Sequence, residues 1–165
     1  MRVADTLPKG SAVVYRTFGA ADRLQTARKL RRLTRKRGLW LLIGADWRLA
    51  AAVGADGVHL PQRLLRHAPA LRQRRPGWLI TAAAHDMPAV LRGRRLGVDA
   101  LLVSPVFPSL SPSAGRALGA VRFGAWVSAA RVPVIALGGV NDRTARRLRS
   151  TQTAGLAGVD GLSQR

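Results

Sequence analysis

The chain alternates short, almost entirely apolar runs with longer amphipathic segments that are rich in arginine. The apolar runs include LWLLIGAD at 39–46, GWLITAAAH at 77–85 and VPVIALGG at 132–139. These runs do not alternate polar with apolar residues, which is typical of parallel strands covered by helices on both faces. Strands of this kind separated by helical segments predict an α/β fold.

Seven segments have the character of strands, one fewer than a (β/α)8 barrel requires. They lie near residues 12–18, 39–44, 57–60, 78–83, 99–104, 133–137 and 155–159. Helical spacing of apolar residues and capping signals predict helices at 21–38, 47–56, 64–75, 86–97, 121–130 and 141–150. A doubly wound open sheet is the alternative, but no GxGxxG motif follows the first strand, so a dinucleotide-binding domain has little support.

The formal net charge of +20 in 165 residues raises the possibility of a nucleic-acid partner. However, the basic residues are concentrated on the predicted helices, and the few aromatic residues are not interleaved with them to form a base-stacking surface. We therefore expect solvated arginine-rich helix faces rather than specific nucleic-acid binding. The chain has no cysteine, no apolar run long enough to span a bilayer and no signal-peptide core at its start, so we expect a cytoplasmic protein.

Gly138 and Gly139 lie between a predicted buried strand and a predicted helix. Glycines at such a position let backbone N–H groups approach an anion, and the late strand-to-helix loops of barrels commonly hold a phosphate. The segment AGLAGVDGL at 154–162, with Gly158 at its centre, would supply the second half of that site. The alternative is a tight turn whose glycines serve packing alone.

Four segments, in this order and spacing, resemble the thiamine phosphate synthase and thiazole tautomerase family. They are VGADGVHLPQ at 53–62, LGVDALLVSPVFPS at 96–109, VPVIALGGVNDRTARRL at 132–148 and AGLAGVDGL at 154–162. The resemblance implies a single phosphate-binding (β/α)8 barrel domain over residues 1–165 that lacks the family's first strand. Residues 1–10 would then be the remnant of the first helix and its loop.

The resemblance also implies which residues hold the substrates. Arg16 matches a diphosphate-binding arginine after the second strand of the family, and Gly138 and Gly139 match the thiazole phosphate loop. Ser109 and Ser111 keep the hydroxyl groups of a loop whose lysine is absent here, and Arg116 is a candidate replacement cation.

The family's magnesium ligands do not match this chain. The two positions where the family carries an aspartate are Ala45 and Leu64, and Asp46 would serve only if its loop shifted. Mg²⁺ is therefore implied by the resemblance alone, and no residue is predicted as a metal ligand. Asp160, where the family has a phosphate-binding serine, would repel an anion.

The remaining polar residues divide between the site and the scaffold. His85 ends a strand on the expected active face and is a candidate for proton transfer or ligand contact, whereas His59 is predicted to be a core residue and His67 a solvated one. Asp56 and Asp99 lie in Gly-x-Asp turns before strands, which is typical of turn or cap residues.

The resemblance implies a transferase that joins hydroxymethylpyrimidine diphosphate to thiazole phosphate in thiamine biosynthesis. One alternative is a metal-free thiazole phosphate tautomerase or a binder of a phosphorylated metabolite. The other is a non-enzymatic basic protein that binds nucleic acid. The expected partners are small phosphorylated substrates, with no membrane; an open sheet edge would also allow a homo-oligomer.

Overall fold

The computed structural model describes residues 2–16, 22–109 and 115–159 and contains a single seven-stranded parallel sheet. Its strands are β1 (Ala12–Tyr15), β2 (Trp40–Gly44), β3 (Gly57–Leu60), β4 (Leu79–Ala84), β5 (Ala100–Val103), β6 (Val134–Ala136) and β7 (Gly155–Leu156). The strands pair in chain order, each with the next. The seven predicted strands and the α/β class are thereby confirmed.

An α-helix precedes β1 and the other α-helices connect successive strands, as the alternating pattern predicts. They are α1 (Arg2–Thr6), α2 (Arg23–Arg37), α3 (Trp47–Val53), α4 (Ala68–Arg74), α5 (Met87–Arg95), α6 (Gly119–Ala130) and α7 (Asp142–Ala145). Within the described ranges, no helix combines the length and the apolar character needed to cross a bilayer.

Two predicted helices are shorter than their sequence patterns indicate. The segment predicted as one helix over 64–75 begins as a 3-10 helix, Gln62–His67, and becomes α-helical only at Ala68. Pro69 explains the change, because it has no N–H to continue an α-helical ladder from the preceding turn. The helix predicted over 141–150 is α-helical only as α7 and continues as a 3-10 turn, Arg146–Leu148.

His67 is not the solvated residue that its basic surroundings predict. Its side chain is half-buried, and its ring lies 5.5 Å from the Trp47 ring, measured between centroids. The prediction was wrong because the contact joins α3 to the 3-10 helix, two elements whose packing the local sequence does not reveal.

The core lies between the sheet and its helices, and its largest fully buried side chains come from both. They include Leu41, Ile43, Leu60, Ile80 and Leu101 from strands, with Phe123 from α6. Burial of such a side chain stabilises the fold by about 1.5–3 kcal/mol, which explains why the strands are apolar on both faces.

Asp56 and Asp99 hold the amino-terminal end of the sheet. The Asp56 carboxylate accepts the backbone N–H of Leu41 at 2.7 Å and binds the Arg31 guanidinium of α2 at 2.6 Å. Asp99 repeats the arrangement, accepting the N–H of Ile80 at 2.6 Å and pairing with an arginine of α4. Asp56 thus connects β2 to α2, and Asp99 connects β4 to α4. The predicted structural role of both aspartates is confirmed.

Candidate functional site

A cavity of about 250 Å³ opens at the carboxyl ends of the strands, where barrel enzymes place their active sites. Strand register explains how its wall is assembled. Tyr15 pairs with Ile43, so that Arg16 follows at the level of Gly44, and Gly44 pairs with His59. The lining residues are Arg16, Gly44, His59, Pro61, Arg63, Ala83, His85, Leu102, Ser104 and Leu137.

Two arginines line this cavity, from neighbouring parts of the sheet. Arg16 directly follows β1, and its side chain lies over Gly44: a Cβ atom on Gly44 would come within 2.9 Å of Arg16 Cγ. The glycine thus provides the space that this arginine occupies. Arg63 lies in the 3-10 helix after β3, and its side chain, like that of Arg16, is exposed to solvent.

His59 is buried, as the sequence predicts, but it also forms part of the cavity wall. Its Nδ1 lies 2.9 Å from Thr81 Oγ1, the residue it faces in the register of β3 and β4. Burial lowers the pKa of His59 to about 4, and electrostatic interactions with Arg16 and His85 act in the same direction. The imidazole is therefore neutral at pH 7.

His85 follows β4, and its ring contacts Ser104. Its Nδ1 lies 2.9 Å from the backbone carbonyl oxygen of Ser104, which can only accept a hydrogen bond. The Ser104 hydroxyl oxygen, which can donate or accept, lies 3.2 Å from the same Nδ1. The shorter carbonyl contact favours the neutral tautomer with the proton on Nδ1 and the lone pair on Nε2. The backbone N–H of His85 donates to Gln62 Oε1 at 2.7 Å, and Gln62 Nε2 donates to Asp86 at 2.6 Å. Gln62 thus joins the loop after β3 to the loop that carries His85.

Gly138 and Gly139 both have positive φ angles, 89° and 63°, and both pack against the loop after β5. A Cβ on Gly139 would lie 2.3 Å from the carbonyl oxygen of Pro108, and one on Gly138 would lie 2.9 Å from Pro105 Cα. The pair is therefore required for close packing of two loops. Among the described residues, neither glycine's amide N–H donates a hydrogen bond.

Of the predicted site residues, Arg16 and His85 line the cavity, whereas Gly138 and Gly139 lie outside its lining, next to Leu137. Arg116 is exposed before α6, Ser109 is half-buried in the loop after β5, and Gly158 is half-buried after β7. Ser111 and Asp160 lie outside the described residues.

Sequence reasoning missed Arg63, Ser104 and the bridging role of Gln62. Arg63 and Ser104 come within three residues of a strand's carboxyl end, and that position is the signal that could have identified them.

The described residues do not fit a magnesium site. Mg²⁺ requires oxygen ligands, usually one or two carboxylates, and no described carboxylate lines the cavity. Asp46 uses Oδ1 to accept the N–H of Leu49 at 2.9 Å, and its Oδ2 lies 3.2 Å from Arg23 Nη1. Leu64 packs its side chain against the core. In the described part of the chain, no three histidine or acidic side chains cluster so as to hold a metal ion.

Comparison with known proteins gives a consistent relationship. Residues 2–162 match the family model of thiamine monophosphate synthase. The thiamine-phosphate synthase of Limosilactobacillus fermentum is 31% identical over 148 residues, which cover 89% of this chain and 68% of that protein. The enzyme of the same name from Chloroflexus aurantiacus is 32% identical over 93% of this chain and 72% of its own length.

A solved structure agrees with these sequence relationships. Thiamine phosphate pyrophosphorylase from Pyrococcus furiosus superposes with a TM-score of 0.78 at 27% sequence identity, over 95% of this chain and 76% of that one. The chain therefore belongs to the thiamine monophosphate synthase family.

Proposed function

We propose that this protein is a transferase of thiamine biosynthesis that joins hydroxymethylpyrimidine diphosphate to thiazole phosphate in the cavity at the carboxyl ends of the strands. The family match over residues 2–162 is the observation that carries the proposal. The cavity supports it, since its charged lining residues are basic and suit phosphorylated substrates. The proposal covers a single catalytic domain over 1–165, a barrel lacking one strand, in the cytoplasm.

In the proposed reaction, the bond between the pyrimidine methylene carbon and the diphosphate oxygen breaks, and the diphosphate leaves with the electron pair. The thiazole nitrogen then donates its lone pair to the methylene carbon and forms the new C–N bond. The protein's contribution is to hold the two substrates in line and to stabilise the departing negative charge. Arg16 would face the diphosphate, and the N–H groups of Gly138 and Gly139 would bind the thiazole phosphate.

Ser109, Ser111 and Gly158 are proposed to complete the phosphate contacts, with Arg116 as a further cation. These four residues belong to the loops after β5 and β7, which flank the Gly138–Gly139 turn in the order of the sheet. Substrate binding would have to bring Arg116 towards the cavity, because its side chain does not line the cavity here.

A second candidate, the isomerisation of a thiazole phosphate by proton transfer, is favoured by one observation. The hydrogen bond from His85 Nδ1 to the Ser104 carbonyl leaves Nε2 as a proton acceptor at the cavity. This reaction needs neither a diphosphate nor a metal ion. His85→Gln should abolish isomerisation, whereas it should reduce the condensation to a smaller extent.

The deciding experiment supplies the purified protein with both phosphorylated substrates and measures thiamine phosphate formation. The proposal predicts product, and predicts its loss in Gly139→Trp, because a bulky side chain there cannot fit against Pro108. Gly77→Ala is a control, since a Cβ on Gly77 would meet nothing within 4 Å. Absence of product from the folded wild-type protein, together with conversion of the thiazole phosphate isomer, would replace the first function by the second.

A further inference from the structure

All eight acidic residues of this chain are aspartates. Asp46 and Asp86, which follow β2 and β4, use their carboxylates in contacts within the fold. Asp46 caps α3 and pairs with Arg23, and Asp86 caps α5 and accepts from Gln62. Asp56 and Asp99 lie at the opposite end of the sheet. The charged lining of the cavity is accordingly Arg16 and Arg63, with no described carboxylate to neutralise them.

We propose that Arg63 and Arg16 together bind the diphosphate of the substrate as a metal-independent clamp. Their two guanidinium groups would supply the positive charge that a metal ion would otherwise provide, because no described carboxylate lines the cavity to hold such an ion. The inference rests on the proposed function, and it assigns to Arg63 a role that the sequence motifs do not indicate.

The placement of the two side chains suits a diphosphate. Arg16 follows β1 and Arg63 follows β3, while β2 between them ends in Gly44, which has no side chain to separate them. The two guanidinium groups can therefore approach a ligand from both sides of the β2 carboxyl end. Each guanidinium is permanently charged and offers a planar fork of N–H donors that matches two phosphate oxygens.

His59 in the cavity wall does not weaken this arrangement. His59 is neutral at pH 7 because burial lowers its pKa to about 4, with the Arg16 charge as the second cause. It therefore adds no positive charge beside the two arginines at this pH. The anion would bind two full positive charges beside a neutral imidazole.

Binding of inorganic diphosphate to the full chain tests the clamp without depending on turnover. Calorimetric titrations at 0.15 M salt, in EDTA and again in excess Mg²⁺, would compare the wild-type protein with Arg63→Ala, Arg63→Lys and Arg122→Ala. Arg122 is an exposed arginine of α6 outside the cavity and controls for non-specific attraction to a chain of net charge +20. Salt at this concentration screens such attraction beyond about 8 Å.

The clamp predicts that diphosphate binds in EDTA and that Mg²⁺ changes its Kd by less than about threefold. Loss of a charge-assisted contact in Arg63→Ala should weaken binding by roughly 10- to 100-fold, Arg63→Lys should lie between, and Arg122→Ala should match the wild type. Binding that requires Mg²⁺, or Arg63→Ala binding as tightly as Arg122→Ala, would overturn the inference.

The same protein samples separate this inference from the proposed function. Diphosphate binding in EDTA without formation of thiamine phosphate under any condition would contradict the proposed reaction and leave the clamp supported. Conversely, thiamine phosphate formation that EDTA abolishes would support the reaction and reject a metal-independent clamp.

Discussion

The two ends of the sheet use charge in opposite ways. At the amino-terminal end, Asp56 and Asp99 each neutralise an arginine of a neighbouring helix and bind a strand N–H. At the carboxyl end, Arg16 and Arg63 line a cavity that no described carboxylate enters. The first arrangement pairs each carboxylate with a guanidinium within the fold, whereas the second leaves two arginines without a described carboxylate beside the cavity.

This difference predicts that substitutions at the two ends have separable effects. Removing charge at the amino-terminal end should lower stability, because the partners that remain are left without hydrogen bonds. Removing charge at the carboxyl end should lower activity and leave stability nearly unchanged, because the arginine side chains there are exposed.

Arg16→Ala should reduce kcat/KM for thiamine phosphate formation by roughly 100- to 1,000-fold, the loss typical of one group that stabilises developing negative charge. Its midpoint of urea unfolding should stay close to that of the wild type. Steady-state kinetics and urea denaturation on the same preparation check both statements. A variant that unfolds early but retains activity would assign Arg16 to the scaffold instead.

Asp56→Ala should destabilise the protein by about 3 kcal/mol, because it leaves the Arg31 guanidinium and the Leu41 N–H without their shared acceptor. Asp99→Ala should cost less, about 1 kcal/mol, since the Arg72–Asp99 pair is 35% exposed on each side and is better screened by water. Urea unfolding of the two variants measures the difference. Equal losses would contradict the dependence on burial.

Protonation of His59, in the cavity wall, should make the free energy of unfolding depend on pH. Its pKa is about 4 in the folded protein and about 6.5 in the unfolded chain, so its contribution is complete above pH 6.5 and is lost as the pH falls towards 4. Between pH 7 and pH 5 the expected loss is about 2 kcal/mol. Comparison with His59→Gln isolates this contribution, and an identical pH profile for the two proteins would refute it.

Ala45→Gly should stabilise the protein by about 1 kcal/mol. Ala45 has a φ of 62°, a left-handed conformation that costs a residue with a Cβ roughly 1–2 kcal/mol. Gly54 provides a matched control: its φ is also 62°, and a Cβ there would meet nothing within 4 Å. Gly54→Ala should therefore lower the free energy of unfolding by a comparable amount. If both substitutions stabilised the protein, or both destabilised it, backbone strain would be excluded as the cause.

Much of the fold could be predicted from the sequence because its signals are local. The apolar runs and capping residues predict all seven strands, and the Gly-x-Asp turns predict that Asp56 and Asp99 are structural. The helix over 64–75 was overestimated because Pro69 interrupts a pattern that is otherwise helical.

The candidate site was harder to predict because its contacts are not local. Gly138 and Gly139 pack against Pro105 and Pro108, which are distant in sequence. Arg63 lines the cavity from the 3-10 helix that follows β3. The apolar neighbours of His59 predict that it is buried, and its burial is confirmed. That it also lines the cavity could not be predicted, because the cavity wall is formed by several strands.

The central claim is that the basic cavity at the carboxyl end carries out a diphosphate-releasing condensation. The most direct measurement follows thiamine phosphate and free diphosphate together in one reaction of the wild-type protein with both substrates. The claim predicts that the two products appear in equal amounts and that both are lost in Arg16→Ala but kept in Arg122→Ala. Diphosphate release without thiamine phosphate, or equal activity in the two variants, would contradict it.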